Sequence, residues 1–383
     1  MHSHSLRLRA NGNLAYRAQR APRLARVQAP KAGPATGHHT VSDSLRDEAL
    51  AAFFDGPCTT APTSGGVNNV CQYVTAADGS KWILRVYNNG GHTDKVDFEH
   101  AVLQQLGQQR LSFAVPRAKP SLRDGKPHVV LSSGDAACVF EIIQGDLAKT
   151  TAPREVGRAT GELCTAMGRV DLGGREAQAP VPPYYDVFHV HHAMDRDLFY
   201  KQVAENPGFS VCRGSIDYLT EGVRRLEPLL AKGRDLGLPV QLIHGDLHYD
   251  NVMVLGDSVS GLLDFEFVAY DWRVMELAVA LSKYVSEDDP LPLIREFVAG
   301  YIAGGGQVSD DEIELLPDCI NLRMFSNTIY FTGRAYAGED GLESLTSRAD
   351  AYAKRVRWVE ANRARMVETV RELARAPATA GAR

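Results

Sequence analysis

The chain reads as an α+β protein of two lobes, a β-rich N-lobe followed by a mainly helical C-lobe. Three observations lead there. Short apolar runs punctuated by turn residues crowd positions 70–143, helical spacing of apolar and charged residues marks 274–281 and 347–372, and one strand–turn–strand unit sits inside the helical part at 252–264. With 383 residues, 44% of them hydrophobic and 23% charged, the chain can fill two cores. No apolar run reaches the roughly eighteen residues of a transmembrane helix, so no membrane span is expected. Six cysteines are scattered without Cys-x-x-Cys spacing, which points to reduced thiols rather than zinc or a disulfide framework.

The elements follow in chain order. Residues 1–42 carry arginines at 7, 9, 17, 20, 23 and 26 plus Lys31, and no acid precedes Asp43. Such an Arg-rich, acid-poor segment fits an organellar transit peptide, with the chloroplast as the favoured destination, or a disordered basic extension. The chain's net charge of −5 then becomes about −12 for the remainder. That balance argues against a nucleic-acid surface and suits a cationic or neutral substrate. The N-lobe is expected at 43–145. There Ser64-Gly65-Gly66 precedes two strand-like runs, VCQYVTA and KWILRVY, joined at Ala77-Asp78-Gly79-Ser80. Small residues before a strand let backbone N–H groups approach phosphates, with Asn68 and Asn69 shaping the loop. DKVDFEHAVLQQLGQQ has the apolar spacing of an amphipathic helix. HVVLS and ACVFEII are two more strands, ending at Gln144-Gly145-Asp146.

The C-lobe is expected at 146–375, followed by a disordered tail at 376–383. Its least regular stretch is 171–215. His189, His191 and His192 lie there with no carboxylate or cysteine at ligand spacing, so a metal site is not expected. Tyr184, Tyr185 and Phe188 read as residues packing this insertion against the lobe. FVAYDWRVMELAVALSKYV places Val274, Leu277, Ala278 and Leu281 on one helical face, and 347–372 reads as a solvated amphipathic helix.

The stretch QLIHGDLHYDNVMVLGDSVSGLLDFE, 241–266, carries the chemistry. Asp246 and Asn251 are five positions apart, the spacing of Asp and Asn in a protein-kinase catalytic loop. Asp264 comes thirteen residues later, across a hairpin turning at Gly256-Asp257-Ser258 that folds it back beside Asn251. Phosphoryl transfer to a hydroxyl needs an acceptor for the hydroxyl proton and hard oxygen ligands for Mg²⁺. Asp246 is accordingly read as the catalytic base, and Asn251 and Asp264 as metal ligands.

HGDLHYDN followed by LDFE resembles the signature of the aminoglycoside phosphotransferase and choline kinase superfamily, over about residues 45–370. The resemblance implies a bilobal protein-kinase-like fold, ATP and Mg²⁺ as cofactors, and a small-molecule hydroxyl substrate. It implies that Ser64, Gly65 and Gly66 form the phosphate loop and that Arg85 stands where a kinase carries its phosphate-gripping lysine. The partner acid on the following helix would be Glu99, with Asp97 as the alternative. Adenine would meet backbone groups near Glu141 and Ile143, Glu266 would face the metal or its waters, and Glu276 would take the role of the aspartate that buttresses the catalytic loop in relatives. Within the superfamily a homoserine-kinase-like acceptor is favoured, because Gly245 and His248 are nearer the bacterial small-molecule kinases. A choline or ethanolamine kinase is the alternative, with Trp272, Tyr249 and Tyr284 offering aromatic faces to a quaternary ammonium. A stress-type protein Ser/Thr kinase would need an activation segment, which is not recognisable. A nucleotide-binding pseudokinase would be favoured by loss of Asp246, Asn251 or Asp264, and all three are present. Oligomeric state is not legible.

Overall fold

The protein is described here from a computed structural model covering residues 41–63, 69–88 and 91–376. The expected phosphate loop Ser64-Gly65-Gly66, Asn68, the basic segment up to residue 40 and the tail from 377 lie outside the described residues. Both lobes belong to one unit, Ala35–Arg383.

The N-lobe opens with α1 (Asp43–Ala51), capped by Ser42, whose Oγ accepts from the Leu45 N–H at 3.3 Å. Five strands follow, β1 (Thr59–Pro62), β2 (Val70–Thr75), β3 (Lys81–Val86), β4 (His128–Val130) and β5 (Ala136–Glu141), with α2 (Asp94–Gly107) between β3 and β4. They form one antiparallel sheet in the order β1-β2-β3-β5-β4. The β2–β3 turn closes where expected, with the Ser80 carbonyl accepting from Ala76 at 2.9 Å. Strand alternation then does the positioning. Leu84 and Val86 of β3, with Ala137 and Val139 of β5, pack under α1 with Leu50 and Phe53. Arg85 lies between Leu84 and Val86 and so points to the opposite face, toward α2. Burying Leu84, 1% exposed, is worth about 1.5–3 kcal/mol, and slipping β3 by one residue would forfeit it while turning Arg85 into the apolar layer. The register therefore holds Arg85 at the cleft.

The C-lobe contains β6 (Asp146–Leu147), α3 (Pro153–Met167), α4 (Arg196–Glu205), α5 (Arg213–Leu230), β7 (Val240–Ile243), β8 (Val252–Leu255), β9 (Ser258–Leu262), β10 (Ala269–Trp272), α6 (Val274–Tyr284), α7 (Pro290–Ala303), α8 (Asp310–Ala337) and α9 (Glu343–Arg375). The expected hairpin is β8–β9, which pairs on its other edge with β6; β7 and β10 form a separate antiparallel pair. Helix α6 is buried on nearly every side and is the centre of the lobe. Helix α8 starts with a capping box, Ser309 and Glu312 bonding each other's backbone N–H. Glu312, fully buried, also accepts from Arg273 at 2.6 Å, fastening the start of α8 to the start of α6.

The helix read over 347–372 extends over all of α9 and is not simply solvated. Val356, Val359 and Met366 are buried against the lobe. All six cysteines are free, and Cys138 and Cys164 are core residues as expected. Among the described residues, no helix is long and apolar enough to cross a membrane.

Candidate active site

The loop between β7 and β8 carries His244, Gly245 and Asp246. Gly245 has φ +78°, and a Cβ there would stand 2.3 Å from the Phe267 carbonyl, so only glycine allows this turn. His244 is fully buried. Its Nε2–H donates to the Leu263 carbonyl at 2.9 Å, its Nδ1 accepts from the Asp246 N–H at 3.3 Å, and its ring packs on Phe265. Burial lowers its pKa to about 4, so this scaffold histidine stays neutral. Glu276, from α6, accepts from the His244 backbone N–H, which is the buttressing position expected of it. Burial raises Glu276 to about 8.

Three oxygen-bearing side chains converge around this loop. Asn251 donates its Nδ2 to the Asp246 carbonyl at 2.9 Å, which leaves its side-chain oxygen as a ligand atom. The Asn251 carbonyl accepts from Leu263 at 2.9 Å, and this bond brings the end of β9 back to the loop. Asp264 follows with φ +67°, an uncommon left-handed conformation for a residue other than glycine. Its carboxylate is 37% exposed. A side-chain amide oxygen and a carboxylate are hard donors of the kind a divalent cation of the Mg²⁺ or Ca²⁺ type takes, so the donor set fits such an ion. Burial raises Asp246 to about 6, Arg323 opposes that rise, and Asp264 and Glu266 add to it.

On the N-lobe side Arg85 is buried among acids. Its Nη1 meets Glu99 at 3.3 Å, and its Nη2 meets Asp264 at 2.9 Å and Glu266 at 3.0 Å. Burial alone would lower this guanidinium, but Glu99, Asp264 and Glu266 hold it well above its ordinary value. Glu99 itself rises to about 7 through burial, partly offset by Arg85. Asp97, the alternative partner, is exposed and sits 3.6 Å from His128. Glu266 also accepts from Asn69. With both Nη groups given to carboxylates, the resting Arg85 orients Asp264 and Glu266.

Of the two adenine-contact residues, Glu141 ends β5 with its N–H already donated to the Arg117 carbonyl at 3.0 Å. Its N–H is thus taken up by the 113–118 segment bridging back onto β5, and the groups nearby that could meet a base are its carbonyl and the Ile143 backbone. Ile143 packs its side chain over Gly261. Both residues line a cavity of about 1020 Å³ that they share with α2 and residues 113–118.

A second cavity, of about 410 Å³, opens on Asp246. Its walls are the catalytic loop, the 3-10 turn Tyr184–His189, α8 and α9. Arg323 of α8 pairs with Asp246 Oδ1 and donates to the Tyr184 hydroxyl. That hydroxyl in turn donates to the Gly245 carbonyl at 2.7 Å. Asp271, fully buried and raised to about 7 by burial, accepts from the Tyr184 and Trp272 N–H groups. Five basic side chains and a single carboxylate, Asp246, line the cavity among the described residues. The local charge is thus opposite to that of the acidic domain.

Sequence reading missed Arg323, Asp271 and Arg355, and took Tyr184 for packing alone. Arg323 is 77 residues from its partner Asp246, and nothing local marks it. Trp272 (1% exposed), Tyr284 (0%) and Tyr249 (9%) are core residues and form no cage. The histidine stretch does gain a carboxylate, because Glu339 comes from beyond α8 to within 3.2 Å of His191 and 3.7 Å of His192. The His191 Nδ1 accepts from the Ala193 N–H, which puts the ring proton on Nε2 facing Glu339. Arg334 also pairs with that carboxylate, at 3.6 Å. Glu339 is thus shared between the two histidines and Arg334.

The model of the phosphotransferase enzyme family matches residues 59–312, about two-thirds of the chain. The chain belongs to that family. It is a phosphotransferase with an alcohol group as acceptor. A homoserine kinase of Zymomonas mobilis is 28% identical over 259 residues, covering 65% of this chain and 74% of the relative. Two solved structures share the fold. A microcompartment-associated aminopropanol kinase has a TM-score of 0.57 at 18% identity, covering 85% of this chain and 99% of that one. An amicoumacin kinase solved with AMP-PNP and Ca²⁺ has a TM-score of 0.56 at 14% identity, covering 86% and 94%. The bilobal protein-kinase-like architecture expected from the signature is the one found.

Proposed function

We propose that this phosphotransferase moves the γ-phosphoryl group of ATP, with Mg²⁺, onto the side-chain hydroxyl of homoserine or a closely similar amino alcohol. The observation that carries this reading is the 410 Å³ cavity opening on Asp246, small and lined by five basic groups against one acid. Such a wall disfavours choline and polycationic aminoglycosides, and it suits an acceptor that carries a negative group of its own. The homoserine kinases among the relatives support the same choice.

The residue roles follow from the geometry. Asp246 accepts the proton of the attacking hydroxyl, and its raised pKa brings it nearer the operating pH, where a base works best. Asn251 and Asp264 would hold the metal, and Arg85 and Glu266 keep Asp264 aimed. Mg²⁺ bound there would neutralise charge on the triphosphate and orient it. His244 and Glu276 keep the loop in place from behind. Release of ADP with homoserine, choline, ethanolamine and an aminoglycoside tests the reading. Turnover confined to homoserine and close analogues is expected, and turnover with choline but not homoserine would overturn it.

We further propose that residues 1–42 direct import into an organelle, the chloroplast foremost, on the strength of seven basic residues and no acid. N-terminal sequencing of the protein from cells should find a start beyond this segment. An intact Met1 would overturn the proposal.

A further inference from the structure

The basic residues of the acceptor cavity do not share one state. Lys283 is paired with Asp250 at 2.6 Å. Arg323 is paired with Asp246 and Tyr184, and Arg348 donates to the Ser344 carbonyl of its own helix. Arg355, on α9, is different. Its Nη1 lies 3.9 Å from the Met324 sulfur and its guanidinium 5.9 Å from the Tyr352 ring centre. Its Nε is buried with no hydrogen-bond partner, and no carboxylate among the described residues pairs with it. Burial pulls its pKa below the ordinary arginine value.

A guanidinium withdrawn from water without an anion is costly, and a fold keeps one where something else supplies the charge. Arg355 lines the cavity that opens on Asp246, and Met324, its nearest polar contact, adjoins Arg323. We propose that Arg355 is the receptor for a carboxylate on the acceptor, held while the acceptor's hydroxyl reaches Asp246. The planar fork of one uncommitted arginine matches the two oxygens and single charge of a carboxylate. The acceptor class is then a hydroxy acid or hydroxy amino acid, and an amino alcohol without a carboxylate is a poor substrate. This inference rests on the homoserine-like reading above and assigns its selectivity to one residue.

The test uses the full chain and three acceptors: homoserine, 4-hydroxybutyrate (which lacks the ammonium) and 3-aminopropan-1-ol (which lacks the carboxylate). Wild type should favour homoserine over 3-aminopropan-1-ol in kcat/KM by about 100-fold, because losing the anion leaves a buried cation unpaired. 4-Hydroxybutyrate should keep most of the advantage. In Arg355→Gln the advantage of homoserine over 3-aminopropan-1-ol should fall below about fivefold, through KM more than kcat, and Arg355→Lys should recover part of it. Melting temperature is the control for folding, and it should change little in Arg355→Gln, because only the weak Met324 sulfur and Tyr352 ring contacts are lost and no carboxylate partner among the described residues is. Homoserine turnover with an unchanged ratio in Arg355→Gln would overturn the assignment of Arg355 alone. Turnover of 3-aminopropan-1-ol or choline without homoserine would overturn the functional reading itself. Should Arg355→Gln fail to fold, a wild-type enzyme indifferent to the carboxylate still overturns the proposal, and one that requires it in both carboxylate-bearing acceptors supports it.

Discussion

Arg85 and Arg355 are both guanidinium groups largely withdrawn from solvent on the two sides of one site, yet the first meets three carboxylates and the second, among the described residues, pairs with none. On the nucleotide side the positive charge is spent inside the protein, locking Asp264 and Glu266 in position before any ligand arrives. On the acceptor side the charge is held in reserve. The difference shows how one fold can build a constant half and a selective half. Metal and phosphate handling wants fixed geometry, whereas choice among hydroxyl compounds wants an unmet demand that only the right partner fills.

Substitutions probe that contrast in order of size. Asp246→Asn removes the group that both halves serve. Turnover with every acceptor should fall by roughly 10²–10⁴-fold, the usual worth of a general base, measured as ADP release. If the rate persisted, neither arginine would border the reaction. Arg85→Ala should be the most damaging to stability, because it leaves Glu99, Asp264 and Glu266 without their counter-charge. Breaking such a buried network costs about 3–5 kcal/mol, and urea unfolding beside wild type measures it. An equal stability loss on truncating Arg355 would erase the distinction between the two arginines.

Asp264→Asn should keep the fold, since Arg85 retains Glu99 and Glu266, but should raise the metal concentration for half-maximal rate by at least about tenfold, that is about 1.4 kcal/mol or more. An unchanged requirement would remove Asp264 from the ligand set. The smallest effects are those of pH. Turnover should decline as pH falls through about 6, where burial has raised the Asp246 carboxyl and its protonation removes the base. Stability should run the other way. Glu99, Asp271 and Glu276 sit at about 7, 7 and 8 in the folded chain. Between the ordinary carboxyl range and these values the folded state binds more protons than the unfolded one, so stability is lost as pH rises through that window. Glu276→Gln should flatten part of this decline in melting temperature, and an unaltered pH dependence would show that Glu276 does not titrate there.

Much of this site is legible in the chain because its chemistry is local. Asp246, Asn251 and Asp264 are tied by a loop and a two-stranded hairpin, and the turn at Gly256-Asp257 is enough to return one end beside the other. Glu99 was the better choice over Asp97 because helical periodicity places them on different faces. What the motif does not encode is that a strand's amide can be claimed by a passing segment, as the Glu141 N–H is by the residue 117 carbonyl. Ligand spacing along the chain offers His191 no acid, whereas the fold brings Glu339 to it from 148 positions away.

The sequence by itself determined the class of reaction, the two-lobed fold and the convergence of Asp246, Asn251 and Asp264, since that convergence depends on spacings within a few dozen positions that backbone geometry converts directly into proximity. Only the tertiary structure decided what the acceptor side is made of. Tyr184, Arg323 and Arg355 come from three separate elements, and an arginine's state depends on which acids the folded chain brings within ion-pair distance. No periodicity or motif encodes that an acid is missing.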